Sequence, residues 1–228
     1  MAALIPLLRG SLREHPLAIR FAEEVLRIHR RYATEIVAQN RLCPHLKDVE
    51  TGFGRFIVVL DPLPDVNVAV EAVLAAESTV VHVVYPCARP SASDFEKFAG
   101  KLREGLKKAI PSPPVMATFH PELAGDPGGA YRAIGLLRRA PDPFVQLIPE
   151  GLHQGGTVLA TGGLNHNFNE PHVSAVDNAL SIFSRIKGAP LELLVAGMAE
   201  IHRDRAASYA PFLKELGLPP MGLPAHLQ

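Results

Sequence analysis

Apolar and polar positions follow two rhythms along this chain. Over residues 16–40, Leu17, Phe21, Val25, Ile28, Tyr32 and Ile36 recur every three or four residues, which predicts one helix with a single apolar stripe. Pro16 suits its first turn, where a missing N–H costs nothing. Arg27, Arg30 and Arg31 fall off the stripe and read as a solvated face, with anion binding as the alternative. Residues 94–109 repeat the pattern through Phe95, Phe98, Leu102 and Leu106, with Lys97, Lys101, Lys107 and Lys108 on the polar side. Elsewhere the rhythm tightens. Residues 55–60, 79–85, 115–119 and 144–148 are short runs rich in β-branched and aromatic side chains, as buried strands are. Shorter helices are predicted over 68–76 and 130–139.

Strand and helix thus alternate, and every connection between strands is long enough to cross over. The fold class expected is α/β, a four-stranded parallel or mixed sheet with helical crossovers. A ferredoxin-like α+β arrangement is the alternative, because pattern alone fixes neither strand order nor direction. Residues 151–172 (GLHQGGTVLATGGLNHNFNEPH) break the rhythm and read as an inserted Gly/His/Asn-rich loop of the kind that often serves function. Two helices follow, over 173–186 and 191–216. The Pro- and Gly-rich tail, 217–228, is expected to pack weakly. No repeat or linker divides the chain, so residues 1–228 read as a single domain.

Size and charge narrow the function. The chain has 228 residues, 47% of them hydrophobic, and a domain of this size buries roughly 70% of the surface its unfolded chain exposes. Lys plus Arg and Asp plus Glu both number 23, which argues against nucleic-acid or anionic-membrane partners. Tryptophan is absent and aromatics make up 6%, which weakens any base-stacking surface. No apolar run approaches the ~20 residues of a membrane span. The apolar stretch at 2–8 is broken by Pro6 and has no basic region before it, so it is not read as a signal peptide. The two cysteines, Cys43 and Cys87, each adjoin a proline and are too few for a disulfide framework. Reduced thiols and a cytoplasmic location are expected.

Candidate chemistry follows from the strands. In open α/β sheets, ligands bind beyond the carboxyl ends of the strands. If all strands run parallel, those ends are Asp61, Pro86-Cys87, His120-Pro121-Glu122 and Pro149-Glu150, with His153 close behind. His120 follows a buried strand, and Pro121 holds it extended. It suits a general base or a metal ligand, or else a hydrogen bond within a strand-end turn. His82, in mid-strand, reads as a satisfied sheet residue. Cys43 lies in Asn40-Arg41-Leu42-Cys43-Pro44-His45, just past the long helix. A helix C-terminus does not lower a thiol pKa, but His45 would supply a base. Burial as an inert thiol is the alternative there, and the preferred reading for Cys87. A Cys-Pro pair also occurs at thiolate-haem sites. No compact metal motif, phosphate-binding glycine loop or Gly-x-Ser-x-Gly elbow occurs, and His166 and His172 form only a loose pair. A metal would need distant residues such as Cys43, Cys87, His120 and His153.

The same residues carry a resemblance. Asn40, Leu42, Cys43 and Pro44, then Phe119, His120 and Pro121, resemble the Asn-x-Leu-Cys-Pro-Phe and Ser-Phe-His-Pro motifs of the bacterial domain-of-unknown-function family number fourteen-fifteen. His45 and Thr118 replace the family's aromatic and serine. A third motif, Asn-Arg-Ser-Pro-Tyr-Pro, is matched by Arg139, Pro141 and Pro143, with Arg138, Ala140 and Asp142 at its other places. In the last, His-Leu-Leu-Arg-Glu, Leu147 and Glu150 are kept, with Gln146 and Pro149 replacing His and Arg. The resemblance covers about 32–147 and resumes over 201–217. It singles out Cys43, His120 and Arg139 and names no reaction. The leading expectation is a small-molecule enzyme, a metal-, haem- or thiol-dependent oxidoreductase acting on an anionic substrate. Cys43 would be its nucleophile or a transition-metal or haem ligand, and His120 its base or ligand. Arg139 would grip the anion, and loop 151–172 would close over it. The rival is a non-catalytic binding or assembly protein, a homo-oligomer joined through the long helix and the tail.

Overall fold

The computed structural model describes residues 7–40, 42, 54–76, 80–126, 128–148 and 175–228. Its centre is a five-stranded mixed sheet of β1 (Leu7–Arg9), β2 (Arg55–Val59), β3 (Val81–Val84), β4 (Val115–Phe119) and β5 (Phe144–Ile148), ordered β1-β2-β3-β5-β4. β1, β2 and β3 run parallel, and β5 runs antiparallel to both of its neighbours, β3 and β4. The expected α/β class therefore holds, in its mixed form. The fifth strand is β1, whose three residues are too few to show a period.

Alternation along each strand feeds two cores. Phe56, Val58, Val84, Ala117, Phe119 and Phe144 face one way, against α1 (Ala18–Arg31) and the final long helix. Ile57, Val59, Val81, Val83, Met116 and Val145 face the other, against α2 (Val66–Leu74) and α3 (Ala92–Ala109). Asp65 caps α2 by accepting from the amides of Asn67 and Val68, and Ser91 caps α3 by accepting from Asp94. The remaining helices are α4 (Ala130–Leu137), α5 (Ala175–Ile186) and α6 (Ala189–Glu215). Among the described residues no helix is long and apolar enough to cross a membrane.

The predicted stripe on the first helix is real and is used internally. Phe21, Val25, Ile28, Tyr32 and Ile36 are all buried within this one chain, and Leu17 at its start is half-buried. Beyond Arg31 the helix continues as wider π-type turns over Tyr32–Ala38. The Asn40 side chain ends it by donating to the carbonyls of Glu35 and Ile36. Leu42 is buried just beyond.

Off the stripe, the arginines are not merely solvated. Arg27 and Arg31 both reach across to Asp204 on α6, at 2.7 and 2.5 Å, while Glu24 and Glu35 flank them. The hydrogen bond from Arg27, then that from Arg31, outweighs partial burial and holds Asp204 down at about 2. A depressed carboxylate stabilises the fold above its unfolded pKa, near 3.9, and loses that contribution as pH falls through the folded value. Half-exposed partners screen the pair, so Asp204→Asn should cost about 1 kcal/mol at pH 7. In urea denaturation the gap between wild type and variant should narrow as pH falls from 4 towards 2. A gap of equal size at pH 7 and pH 3 would refute this origin.

Strand direction also revises the expected active edge. β4 ends at Phe119 and β5 begins at Phe144, and these two residues pair in register. The whole excursion 120–143 therefore leaves and re-enters at one edge. The carboxyl end of β5, Ile148, pairs with Val115 at the opposite edge, so β5 does not bring its carboxyl end to the shared edge, as a parallel sheet would have. Its start, Pro141-Asp142-Pro143, lies there instead. Residues 149–150 lie outside the described residues. The tail differs from expectation too. Leu218 and Met221 pack against the core, and Arg89 donates to the Pro219 carbonyl, which ties the tail across this edge.

Candidate functional site

At the edge where β3 and β4 end and β5 begins lies a cavity of about 350 Å³. The loop after β3 supplies Arg89, the end of β4 supplies His120 and Glu122, α6 supplies His202 and Arg205, and the tail supplies Met221. The sheet thus places these side chains where open α/β folds take ligands.

His120 lines this cavity, and both of its ring nitrogens are engaged by backbone. The Glu122 amide donates to Nδ1 at 3.1 Å, so the ring proton sits on Nε2, which donates to the Pro90 carbonyl at 3.1 Å. Burial lowers its pKa and keeps it neutral. The side chain pins the Arg89-Pro90 loop to the end of β4. Arg139 lies behind the cavity. Its Nε and Nη2 donate to the carbonyls of Leu123 and Gly125 at 2.9 and 2.8 Å, fixing the loop between β4 and α4. That loop packs so tightly on α4 that a Cβ on Gly125 or Gly135 would collide with the facing backbone.

Cys87 is buried near the same edge. Burial first, and the Asp142 charge second, push its thiol up to about 12. Asp61, at the end of β2, is taken by Ser11, whose amide and hydroxyl both donate to Oδ1. Cys43, His45, Glu150, His153 and the 151–172 loop, with His166 and His172, lie outside the described residues. Among the described residues no three His, Cys, Asp or Glu side chains are grouped to hold a metal ion, and His120 has no free ring nitrogen to offer one.

Behind the cavity wall stands a cluster that pattern reading passes over. Asp142 is wholly buried and accepts four hydrogen bonds. Arg205 Nε and Nη2 donate to Oδ1 at 2.8 and 2.6 Å. The Tyr209 hydroxyl and His29 Nε2 donate to Oδ2 at 2.9 and 3.0 Å. Burial alone would raise this carboxyl, but the Arg205 charge and the bonds from His29 and Arg205 hold it well below the usual range. Arg205 is thereby fixed against the cavity, with its Nη2 also touching the Met221 sulfur.

One turn earlier on α6, His202 donates from Nε2 to the Arg139 carbonyl at 3.2 Å. Burial is the main cause that lowers it to about 4. These residues left some trace in the sequence. Arg205 and Tyr209 stand at helical spacing on the buried side of α6, and Asp142 immediately precedes a buried strand. No family model matches the chain, and neither a curated protein nor a solved structure is significantly similar to it.

Proposed function

We propose that the protein is a small-molecule enzyme that takes an anionic substrate into this cavity at the strand edge. The observation that carries the reading is the pair of guanidinium groups on its wall. Arg205 is held rigidly by Asp142 through Nε and Nη2, and no bond engages its Nη1 among the described residues. Arg89 is held by one tail carbonyl. A carbonyl and a thioether are weak partners for guanidinium, and a carboxylate or phosphate would replace them with charge-assisted bonds. In this reading His120 and Arg139 build the cavity wall and its supporting loop. Thiol- or cofactor-dependent oxidoreductase chemistry at Cys43 is part of the proposal, and the resemblance to family fourteen-fifteen singles out that residue without naming a reaction. The cavity residues supply binding, and no step is assigned to a metal or haem.

Calorimetric titration with succinate tests the binding half of this reading. Wild type should bind it, and Arg89→Gln should weaken it by about tenfold or more, the worth of one hydrogen bond to a charged group. Absence of binding at millimolar succinate, or equal affinity in the variant, would sink the reading.

A further inference from the structure

We infer that His202 accepts a hydrogen bond from a hydroxyl group of the substrate, which makes the substrate a small hydroxy acid. The inference rests on the anionic-substrate reading and narrows it. His202 and Arg205 are three residues apart on α6, so they present side by side on one face, and both line the cavity. The bond from His202 Nε2 to the Arg139 carbonyl places the ring proton on that nitrogen. Nδ1 is then left as a lone-pair acceptor, and no described residue donates to it. His202 is 2% exposed as a residue, but its Nδ1 is not one of the buried side-chain atoms that lack a partner, so it stays reachable from the cavity that the residue lines. Burial also keeps the ring neutral near pH 7.

The neighbours of Nδ1 select the donor. Arg205, held next to it, would take the substrate's carboxylate. An ammonium group at Nδ1 would shed its hydration against a neutral imidazole, beside an Arg205 charge already paired with Asp142, and desolvating a charge costs far more than desolvating a hydroxyl. A hydroxyl carries no such penalty. A carboxylic acid with a hydroxyl beside it therefore satisfies both groups at once. A four-carbon hydroxy-dicarboxylate would in addition engage Arg89.

Calorimetry with succinate, malate and aspartate at pH 7.5 separates the possibilities. Wild type should bind malate about three- to tenfold more tightly than succinate, the net worth of one hydrogen bond that replaces a water contact. His202→Phe, which keeps a ring and removes the acceptor, should bind the two equally, and His202→Gln should restore part of the preference. Succinate binding with no gain for malate would overturn the inference and leave the anionic reading standing, and the wild-type ratio alone decides this without any variant. A malate preference that survives in His202→Phe would overturn it as well. Aspartate binding above malate would also overturn it, moving the contact to Glu122. Binding of none of the three would remove the anionic reading, and this inference with it.

Discussion

Asp142→Ala should destabilise the fold by about 3–5 kcal/mol, the usual consequence of removing one partner of a buried ion pair. The carboxylate is the shared acceptor for Arg205, Tyr209 and His29, and all three donors are buried with it. Truncation leaves a guanidinium charge facing a cavity with no counter-charge, and two further donors without an acceptor. Against a typical total stability of about 5–15 kcal/mol, this is a large share. Asp142→Asn keeps the volume and one acceptor oxygen but turns an amide NH₂ towards either Arg205 or the Tyr209 and His29 donors, so it should fall between wild type and alanine. The pair Asp142→Leu with Arg205→Met should cost clearly less than the sum of the two single changes, because it removes both charges together. Urea denaturation of the two Asp142 single substitutions, the two components of the pair and the pair itself measures all of this. A loss below about 1 kcal/mol in Asp142→Ala would mean that water already reaches the cluster, and the rigid seating of Arg205 would have to be given up.

The cluster also shows which parts of the molecule are legible in its sequence. The long first helix and four of the strands can be read directly, because Phe21 to Ile36 and runs such as 55–60 repeat at the period their burial demands. β1 cannot, since Leu7–Arg9 is too short for any period to show. The direction of β5 cannot either, because a buried strand has the same pattern whichever way it runs. That one reversal exchanges the contents of the candidate edge, bringing in Pro141-Asp142-Pro143 and carrying Ile148 to the far side. His120 is placed at the edge by its position after β4, yet nothing in the sequence says that Pro90 and Glu122 engage its ring. In the sequence Asp142 stands out only as the residue at the tyrosine place of a family motif. Only the packing of α1 and α6 over the sheet brings His29, Arg205 and Tyr209 to it from distant parts of the chain.

Phe21→Ala should cost about 3–5 kcal/mol, as truncation of fully buried phenylalanines does. Its ring is completely buried between α1 and α6. It meets Tyr209 edge-on, with centroids 5.0 Å apart, and lies nearly parallel to Phe212 at 5.2 Å. Such aromatic contacts add about 0.5–1.5 kcal/mol beyond the area they bury. Phe21→Leu refills most of the volume and should cost clearly less. The site should respond as well as the fold. Tyr209 is braced by Phe21 on one side and donates to Asp142 on the other, and Arg205 stacks on its ring at 4.8 Å. An empty space beside Tyr209 lets α6 shift, and α6 carries both His202 and Arg205 to the cavity. Phe21→Ala should therefore weaken succinate binding in the variant that remains folded, although Phe21 is absent from the cavity lining. A destabilised variant with unchanged succinate affinity would show that Asp142 alone seats Arg205. Loss of both would show that the α1–α6 seam sets the position of the cationic wall.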